Sequence, residues 1–599
     1  MRGFGGLVGG RLTRGAVALA ACASPSALLA QSALQAPTRE AIERAAPPPE
    51  AVPPSKLTVD GGVERAPCPL AEPRFAGLTV DFKGAVFDNL KGMKPEDLAS
   101  SYEDFVGKKV PLATICEVRD AAATILRRAG YIAAVQVPPQ RIAADGIVHF
   151  DVLMARLVRV QVRGDAGKSE KLLAAYLNKL TEQPLFNEKD AERYLLLARD
   201  LPGYDVRLTL RPAGTAPGEV VGEVIASRMP FMVTANLQNY GSHQVGRWGG
   251  LITGQANDVL GYGDRLTLGL FQSVQTREQT VLQSGYDIRV GGEGLTIGGR
   301  FTYAWTRPSV GQGDPLKSRT LVASLEATYP LLRSQTANIR LSGGGDLVDQ
   351  DLRFTNVLLT RDRLRVGYLQ LDMAAADPRS ILGGRAGYSS ILPRWRVSGS
   401  FELRRGLGIL GASEDCGPGP LYAACAAGVS LSRIQADPTA TVIRFTGFSE
   451  VRPRPNIAFA FSPRLQYGFS PLMSYEQYSG GAYTIGRGYD PGAIIGDSGA
   501  GFSIEGRYGA LLPRSRTSFA FQPYAFFDAA WVWNRRVLVA ENDPLKLYSA
   551  GAGLRVAYGD RVRLDVTAAV PLRKAPNDLQ RGDTRVMVSL TTRLIPWGK

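Results

Sequence analysis

The chain is 599 residues long and strongly basic, with 70 Lys and Arg against 55 Asp and Glu and a net charge of +15. Two His and five Cys leave little material for a metal centre or a His-activated nucleophile, so no catalytic residue, metal or cofactor is expected. No apolar run is long enough to cross a bilayer as a helix. The basic residues lie singly along alternating segments rather than in one patch, which suits a polar interior better than a phosphate-binding groove.

Residues 1–30 carry Arg2, Arg11 and Arg14 ahead of the mostly apolar run Ala16 to Ala30, broken by Ser24, Pro25 and Ser26. This pattern reads as a secretory signal cleaved near Ala30. Leu19, Ala20, Ala21 and Cys22 also fit the small-residue pattern before a lipid-modified cysteine, so both processing routes stay open. Cleavage at Ala30 removes three arginines and no acid and leaves a mature charge of +12. That charge favours anionic partners such as lipopolysaccharide or acidic polypeptide, and export speaks against nucleic acid.

From 31 to 67 the chain is a Pro- and Ala-rich linker, with Pro47, Pro48, Pro49, Pro53 and Pro54 excluding a long helix. One short helix fits Thr38 to Ala46, capped by Thr38 and ended by Pro47. Alone it is too short to be stable, so it needs a surface to dock on.

Residues 68–155 and 156–227 form two small units with one order of elements: strand, helix, helix, strand, strand. In the first, Leu78, Val80 and Phe82 alternate with polar residues. Ile115, Val118, Ala122, Ile125 and Leu126 then recur at helical spacing up to Gly130, and Tyr131 to Val137 and Ile147 to Leu153 supply two strands around the Asp145, Gly146 turn. In the second, Leu157 to Val162 is followed by a helix capped by Asn187, with Ala191, Tyr194, Leu195 and Ala198 on one face. Val206 to Leu210 and Glu219 to Ile225 close it. Two such units in succession amount to an internal repeat.

After Pro230 helical periodicity disappears, and from 228 to 599 the pattern has period two. Arg561 to Ala568 is the clearest run, with Val562, Leu564, Val566 and Ala568 all facing one way. About sixteen such segments, each taking roughly 23 residues with its connection, predict a sixteen-stranded transmembrane β-barrel. Short turns at Gly291 to Gly294, Arg452 to Pro455 and Tyr558 to Asp560 alternate with long connections at Gly411 to Ala436 and Ser470 to Ser498. The connection from Ala376 to Pro393 is long for its side. With Cys22 lost in the signal, four cysteines allow three pairings. Proximity in this organisation favours Cys68 with Cys116 and Cys416 with Cys425, in an oxidising compartment.

In the long connection between the eleventh and twelfth segments stand Gly486, Arg487, Gly488, Tyr489 and Asp490. Earlier come Gly130 and Tyr131 with Pro139, Gln140, Asp145 and Gly146, then Asn239, Tyr240, Gly241, Ser242, Gly246 and Arg247, then Gly261, Gly263 and Asp264. In this order these residues resemble the haemolysin secretion/activation family, outer-membrane transporters of two-partner secretion related to BamA-type assembly barrels. The likeness runs from about Cys68 to the end. It implies two periplasmic POTRA modules of βααββ form, and a secreted polypeptide partner, large and β-helical. It also implies a loop that folds back into the lumen, its tip Arg487 paired with Asp528 of the wall beside Phe526, with Gly488 and Tyr489 completing the tip. An amino-terminal helix plugs the barrel in that family, and the resemblance makes Thr38 to Ala46 the candidate for it here. The alternative carried by the same resemblance is a factor that inserts other barrels into the outer membrane. One departure concerns the last strand, which in the family ends in an aromatic residue. Here Pro596 breaks the alternation, and Trp597 is followed by Gly598 and Lys599.

Two other motifs lead elsewhere. Gly496, Asp497, Ser498 and Gly499 spell a serine-protease nucleophile setting, yet only His149 and His243 exist to serve it. Gly167, Lys168 and Ser169 imitate the end of a phosphate loop, but Val162 takes the place of its first glycine, so the segment reads as a turn into a helix.

Overall fold

The computed structural model describes residues 38–43 and 68–596, apart from 69, 71, 76, 143–144, 166, 276–277, 310–315, 418–421, 427, 536–543 and 577–579. The export signal with Cys22, the proline-rich stretch 44–67 and Trp597 to Lys599 lie outside the described residues.

In the first unit, helix Thr114–Ala129 buries Ile115, Val118, Ala122 and Leu126 against Phe82, Phe87 and Phe150. Gly130, at φ 98°, ends it in the left-handed region that a side chain would strain. The sheet runs Gly84–Asp88, Ile147–Met154, Ala133–Gln136, the first pair parallel and the second antiparallel. The Val80 and Phe82 alternation forms a separate ribbon, Thr79–Phe82 with Lys108–Pro111. Where the repeat predicts a first helix, two 3₁₀ turns appear, Pro95–Ser101 and Glu103–Phe105. Pro95, Ser100, Ser101 and Gly107 leave that stretch no uninterrupted helical face.

The second unit keeps the full pattern: strand Arg156–Gly164, helices Glu170–Thr181 and Glu188–Arg199, strands Tyr204–Pro212 and Glu219–Arg228. Its first and third strands pair in parallel and its second flanks the third, the same order as in the first unit. Leu157, Leu173, Leu177, Leu195, Val206, Leu208 and Val224 fill the layer between sheet and helices. The Asn187 side chain caps the second helix, accepting the Lys189 N–H at 2.9 Å.

Sixteen antiparallel strands follow, each paired with its chain neighbours, and the last, Arg585–Ile595, pairs with the first, Phe231–Gln238, to close the wall. Parity decides what faces where. On the thirteenth strand, Phe519–Trp533, Gln522, Tyr524, Phe526 and Asp528 are buried inward while Phe519, Phe521 and Phe527 stand exposed. Large apolar side chains face outward in the same way around the wall, with Leu325 66% and Phe459 55% exposed. Such a belt would be an anomaly against water, and it matches hydrocarbon. Among the described residues no helix is long and apolar enough to cross a membrane.

Long connections, 407–440 and 469–497, share one rim, and short ones at 291–294, 455–456 and 559–561 share the other. The connection after strand Val357–Ala376 stays on the short-turn rim. It is a folded cap in which Asp377 accepts the Ser380 hydroxyl at 2.6 Å and pairs with Arg385 at 3.2 Å.

The second unit sits on the short-turn rim through a buried carboxylate. Asp258, in the turn after the second barrel strand, accepts the Tyr204 hydroxyl at 2.7 Å, the Lys168 N–H at 2.8 Å and the Ser169 hydroxyl. The phosphate-loop look-alike is therefore half of a joint. Arg333 grips Asp200 through Nε and Nη2 at 2.7 and 2.8 Å farther along the rim, at the end of the sixth barrel strand.

Candidate functional site: the lumen and its occupants

The connection between the eleventh strand, Ile457–Gly468, and the twelfth, Ser498–Tyr508, turns into the lumen instead of standing away from the rim. Its two limbs pair as a small ribbon, Tyr478–Gly480 with Ile494–Gly496. Tyr478, Ile485, Tyr489 and Ile494 pack on Ala530, Val532 and Leu547 of the wall. At Gly488 the backbone touches the wall: a Cβ there would lie 2.8 Å from the Pro571 nitrogen and 3.0 Å from the Ser549 Cβ, so only glycine lets the tip come this close.

Arg487 projects from that tip onto two adjacent strands. Its Nε and Nη2 donate to the two oxygens of Asp528 at 3.0 and 2.8 Å, and its own N–H donates to Asp528 at 3.0 Å. Nη1 reaches Glu505 at 2.9 Å and Nη2 reaches the Ser503 hydroxyl at 2.7 Å. The guanidinium lies over the Phe526 ring, 3.4 Å from its centroid. Register brings these partners together, since Ser503 pairs with Asp528 and Glu505 with Phe526 across the ladder. Asp528 is 1% exposed. A planar, always charged fork satisfies such a carboxylate where a lysine could serve only one direction. The Tyr489 hydroxyl lies 2.8 and 2.7 Å from the carbonyls of Tyr548 and Arg573 and donates to one at a time.

A second anchor holds the incoming limb. Glu476 accepts from Arg404 at 3.0 and 3.2 Å and from Arg444 at 2.5 Å, while Glu402 and Asp346 balance the same arginines. The protease look-alike is a third fixing point: buried Asp497 pairs with Arg433 and accepts the Leu472 and Arg535 N–H groups at 2.9 Å each.

The short helix predicted near Thr38 is Arg39–Glu43, and it lies inside the barrel. The Ala41 N–H reaches the Thr38 hydroxyl at 3.4 Å. Ile42 is 0% exposed among Phe271, Val322, Val348 and Tyr475. Glu40 pairs with Arg464 and accepts the Ser479 hydroxyl at 2.8 Å, and Glu43 accepts the Tyr475 hydroxyl at 2.9 Å. Tyr475 and Ser479 belong to the in-folded loop, so the helix rests partly on the loop itself. Between helix and tip remains a polar cavity of about 710 Å³, lined by Arg39, Glu40, Arg464, Arg487, Glu505 and Arg507 among others.

Sequence reasoning identified Arg487, Gly488, Tyr489, Phe526 and Asp528, and the structure brings all five together. It missed Ser503, Glu505 and Glu476. The first two share the inward parity of the twelfth strand, a signal available in the alternation Ser503, Glu505, Arg507. Glu476, in an irregular loop, has no periodic signal. The four cysteines stand as two disulfides, Cys68–Cys116 and Cys416–Cys425, with Cα separations of 5.9 and 5.0 Å. Among the described residues no group of three His, Cys, Asp or Glu is placed to hold a metal.

A family model described as haemolysin secretion/activation protein ShlB/FhaC/HecB matches residues 223–556, more than half of the chain. The heme/hemopexin transporter protein HuxB of Haemophilus influenzae is similar, at 26% identity over 263 residues in strain KW20 Rd, covering 41% of this chain and 44% of that protein. In strain 86-028NP the figures are 24% over 208 residues, 33% and 36%. The chain thus matches less than half the length of these curated relatives. Among solved structures, CdiB from Escherichia coli superposes with a TM-score of 0.68 at 17% identity, covering 96% of this chain and all of that one. CdiB from Acinetobacter baumannii gives 0.59 at 16%, covering 95% and 98%. BamA from Haemophilus ducreyi lacking POTRA domains 1–3 gives 0.51 at 14%, covering 86% and 100%. These structural likenesses establish the shared fold, and the match to the family model establishes kinship: the protein belongs to the haemolysin secretion/activation family of outer-membrane β-barrels.

Proposed function

We propose that this protein exports a partner polypeptide, a large β-helical one, through its barrel to the cell surface. Its two small units act as POTRA modules in the periplasm that hold the partner unfolded. A sheet edge can accept an extended chain as an added strand, using main-chain hydrogen bonds indifferent to its side chains. The periplasm supplies no ATP, so folding of the partner outside, which removes it from the returning pool, supplies the direction. Arg487 with Asp528, Phe526, Gly488 and Tyr489 is the lock that fixes the loop in the lumen. The basic mature chain meets lipopolysaccharide at the outer rim, and catalysis plays no part.

One observation carries this reading. The wall is closed by continuous strand pairing, whereas the bodies inside it, the helix Arg39–Glu43 and the loop 469–497, are held to it by side chains. Side-chain contacts can be exchanged for water one at a time, and the wall survives their loss. Deleting the gene and following large proteins in the culture medium tests the proposal, with the product of the neighbouring reading frame as the first candidate. Loss of one such protein, restored by complementation, is the expected result. The fold likeness to BamA favours insertion of other barrels as the second reading. Depletion of outer-membrane barrels with an unchanged medium would decide for it.

A further inference from the structure

The family-like loop motif ends in Asp490, which the arginine lock does not use. Its carboxylate meets Arg585, the first residue of the last strand, at 2.6 Å from Nη1, and the same nitrogen donates to the Tyr489 carbonyl at 2.7 Å. The other arm of Arg585 donates to the carbonyls of Tyr240 and Gly241 at 3.0 and 2.8 Å. Those two residues follow the first strand. The second oxygen of Asp490 accepts the His243 N–H, also beyond the first strand, at 3.1 Å. Arg585 is 6% exposed. One guanidinium therefore joins three parts of the chain: the loop tip, the start of the last strand and the end of the first.

The place is the weak end of the barrel's closing seam. Ladder pairing of the last strand with the first stops at Ser589 with Gln238. Beyond it the strands are joined through Asn239, whose N–H donates to the Val588 carbonyl at 3.2 Å and whose side chain accepts the Val588 N–H at 2.7 Å and donates to the Val586 carbonyl at 2.9 Å. In hydrocarbon an unpaired edge has no alternative partner, so pairing persists there, but at a rim water competes for every bond. An apolar knot backs the polar one. Ala482 of the loop packs with Met587 of the last strand, Phe526 and Tyr524 of the thirteenth and Tyr240.

We propose that Asp490 and Arg585 are positioning residues that clasp the first and last strands, so that the in-folded loop holds the seam shut as well as filling the lumen. The lock at Arg487 faces the twelfth and thirteenth strands, and the clasp faces the seam. The two are separable by mutation. The clasp makes no use of a partner polypeptide, so its test stands apart from the export reading.

The test is hydrogen exchange by mass spectrometry on the purified full-length protein in detergent, comparing Asp490→Ala, Arg585→Ala, Arg585→Lys and Arg487→Ala with the parent. Losing the clasp is expected to speed exchange about tenfold in peptides covering 231–241 and 585–595, the effect of one charge-assisted bond on a local opening. Peptides from strands Ala337–Phe354 and Val357–Ala376 should stay unchanged. Arg585→Lys should restore part of the protection, whereas Arg487→Ala, which loosens the tip itself, should raise exchange over 481–492 more than over the seam. Should Arg585→Ala fail to assemble, Asp490→Ala decides alone, because it leaves the other three contacts of Arg585 in place. Unchanged seam exchange in Asp490→Ala, or an equal rise in every strand, overturns the proposal.

Discussion

Replacing Arg487 by Ala removes four side-chain hydrogen bonds, yet their loss does not simply add. Glu505 keeps Arg507 and Arg555 as partners, and Ser503 lines a cavity roomy enough to admit water, so neither is stranded. Asp528 is the orphan, nearly unexposed, with only Ser549 at 3.5 Å and the Arg487 N–H left to face it. Stranding a buried carboxylate costs about 3 kcal/mol once water entry is allowed for. At about 1.4 kcal/mol per tenfold, that shifts the docked tip toward release on the order of a hundredfold. Strand pairing is untouched, so the barrel should still show its heat-dependent gel mobility while export fails. Hydrogen exchange over 481–492 should rise in step. Arg487→Lys should fall between, because an ammonium keeps the charge and loses the fork. Adding Asp528→Ala to Arg487→Ala should cost less than the sum of the single changes, since the orphan is then gone. Wild-type export by Arg487→Ala, with exchange of the tip unchanged, would refute the reasoning.

Three further expectations concern other joints. Glu40→Ala leaves Arg464 and Ser479 without their acceptor and should raise the open fraction of single barrels in planar bilayers, since a one-turn-and-a-half helix has few other contacts; an unaltered conductance record would count against helix docking at this seat. Asp258→Ala deprives Tyr204, Ser169 and two backbone N–H groups of their acceptor, costs about 2–4 kcal/mol, and should make the connection near 229 accessible to protease while the barrel stays folded. Asp264 reports on pH. Burial pushes its carboxyl up, but the N–H groups of Tyr262, Leu260 and Val259 outweigh it and hold it below the ordinary 3.8. A depressed pKa stabilises above the unfolded value and is lost as pH falls through the folded one. Joint protection should therefore be flat from about pH 5 to 8 and decline only below about pH 4, and Asp264→Asn should make that decline shallower while the other carboxylates of the joint, Asp258 and Asp200, keep their share.

The barrel was legible because alternation is a long-range, redundant signal. The connection at 376–393, long for its side, falls where the alternation stops, and the strands on either side keep their parity. The Arg487–Asp528 pairing was legible for a related reason: a strand motif fixes which way Phe526 and Asp528 point, and a glycine-flanked arginine has few other uses. The first unit's missing helix shows the opposite case, where repetition suggested an element that local composition at 94–107 could not form. Asp258 and Asp490 were out of reach because their partners lie far away in the chain, at Ser169 and Arg585, with no periodicity to link them. Tyr240 and Gly241 were noticed as family markers, and their carbonyls, rather than their side chains, turn out to make the contact with Arg585.

The lumen wall carries many fixed charges, yet its arginines are largely matched by acids: Arg404 and Arg444 by Glu402 and Glu476, Arg507 by Glu450 and Glu505, Arg555 by Glu505 and Asp565. A conduit neutralised locally in this way exerts little net pull on a passing chain of either sign. On the proposed export route, friction along such a passage would be set by width and by obstacles rather than by the composition of the exported chain, which would leave selection to the entrance.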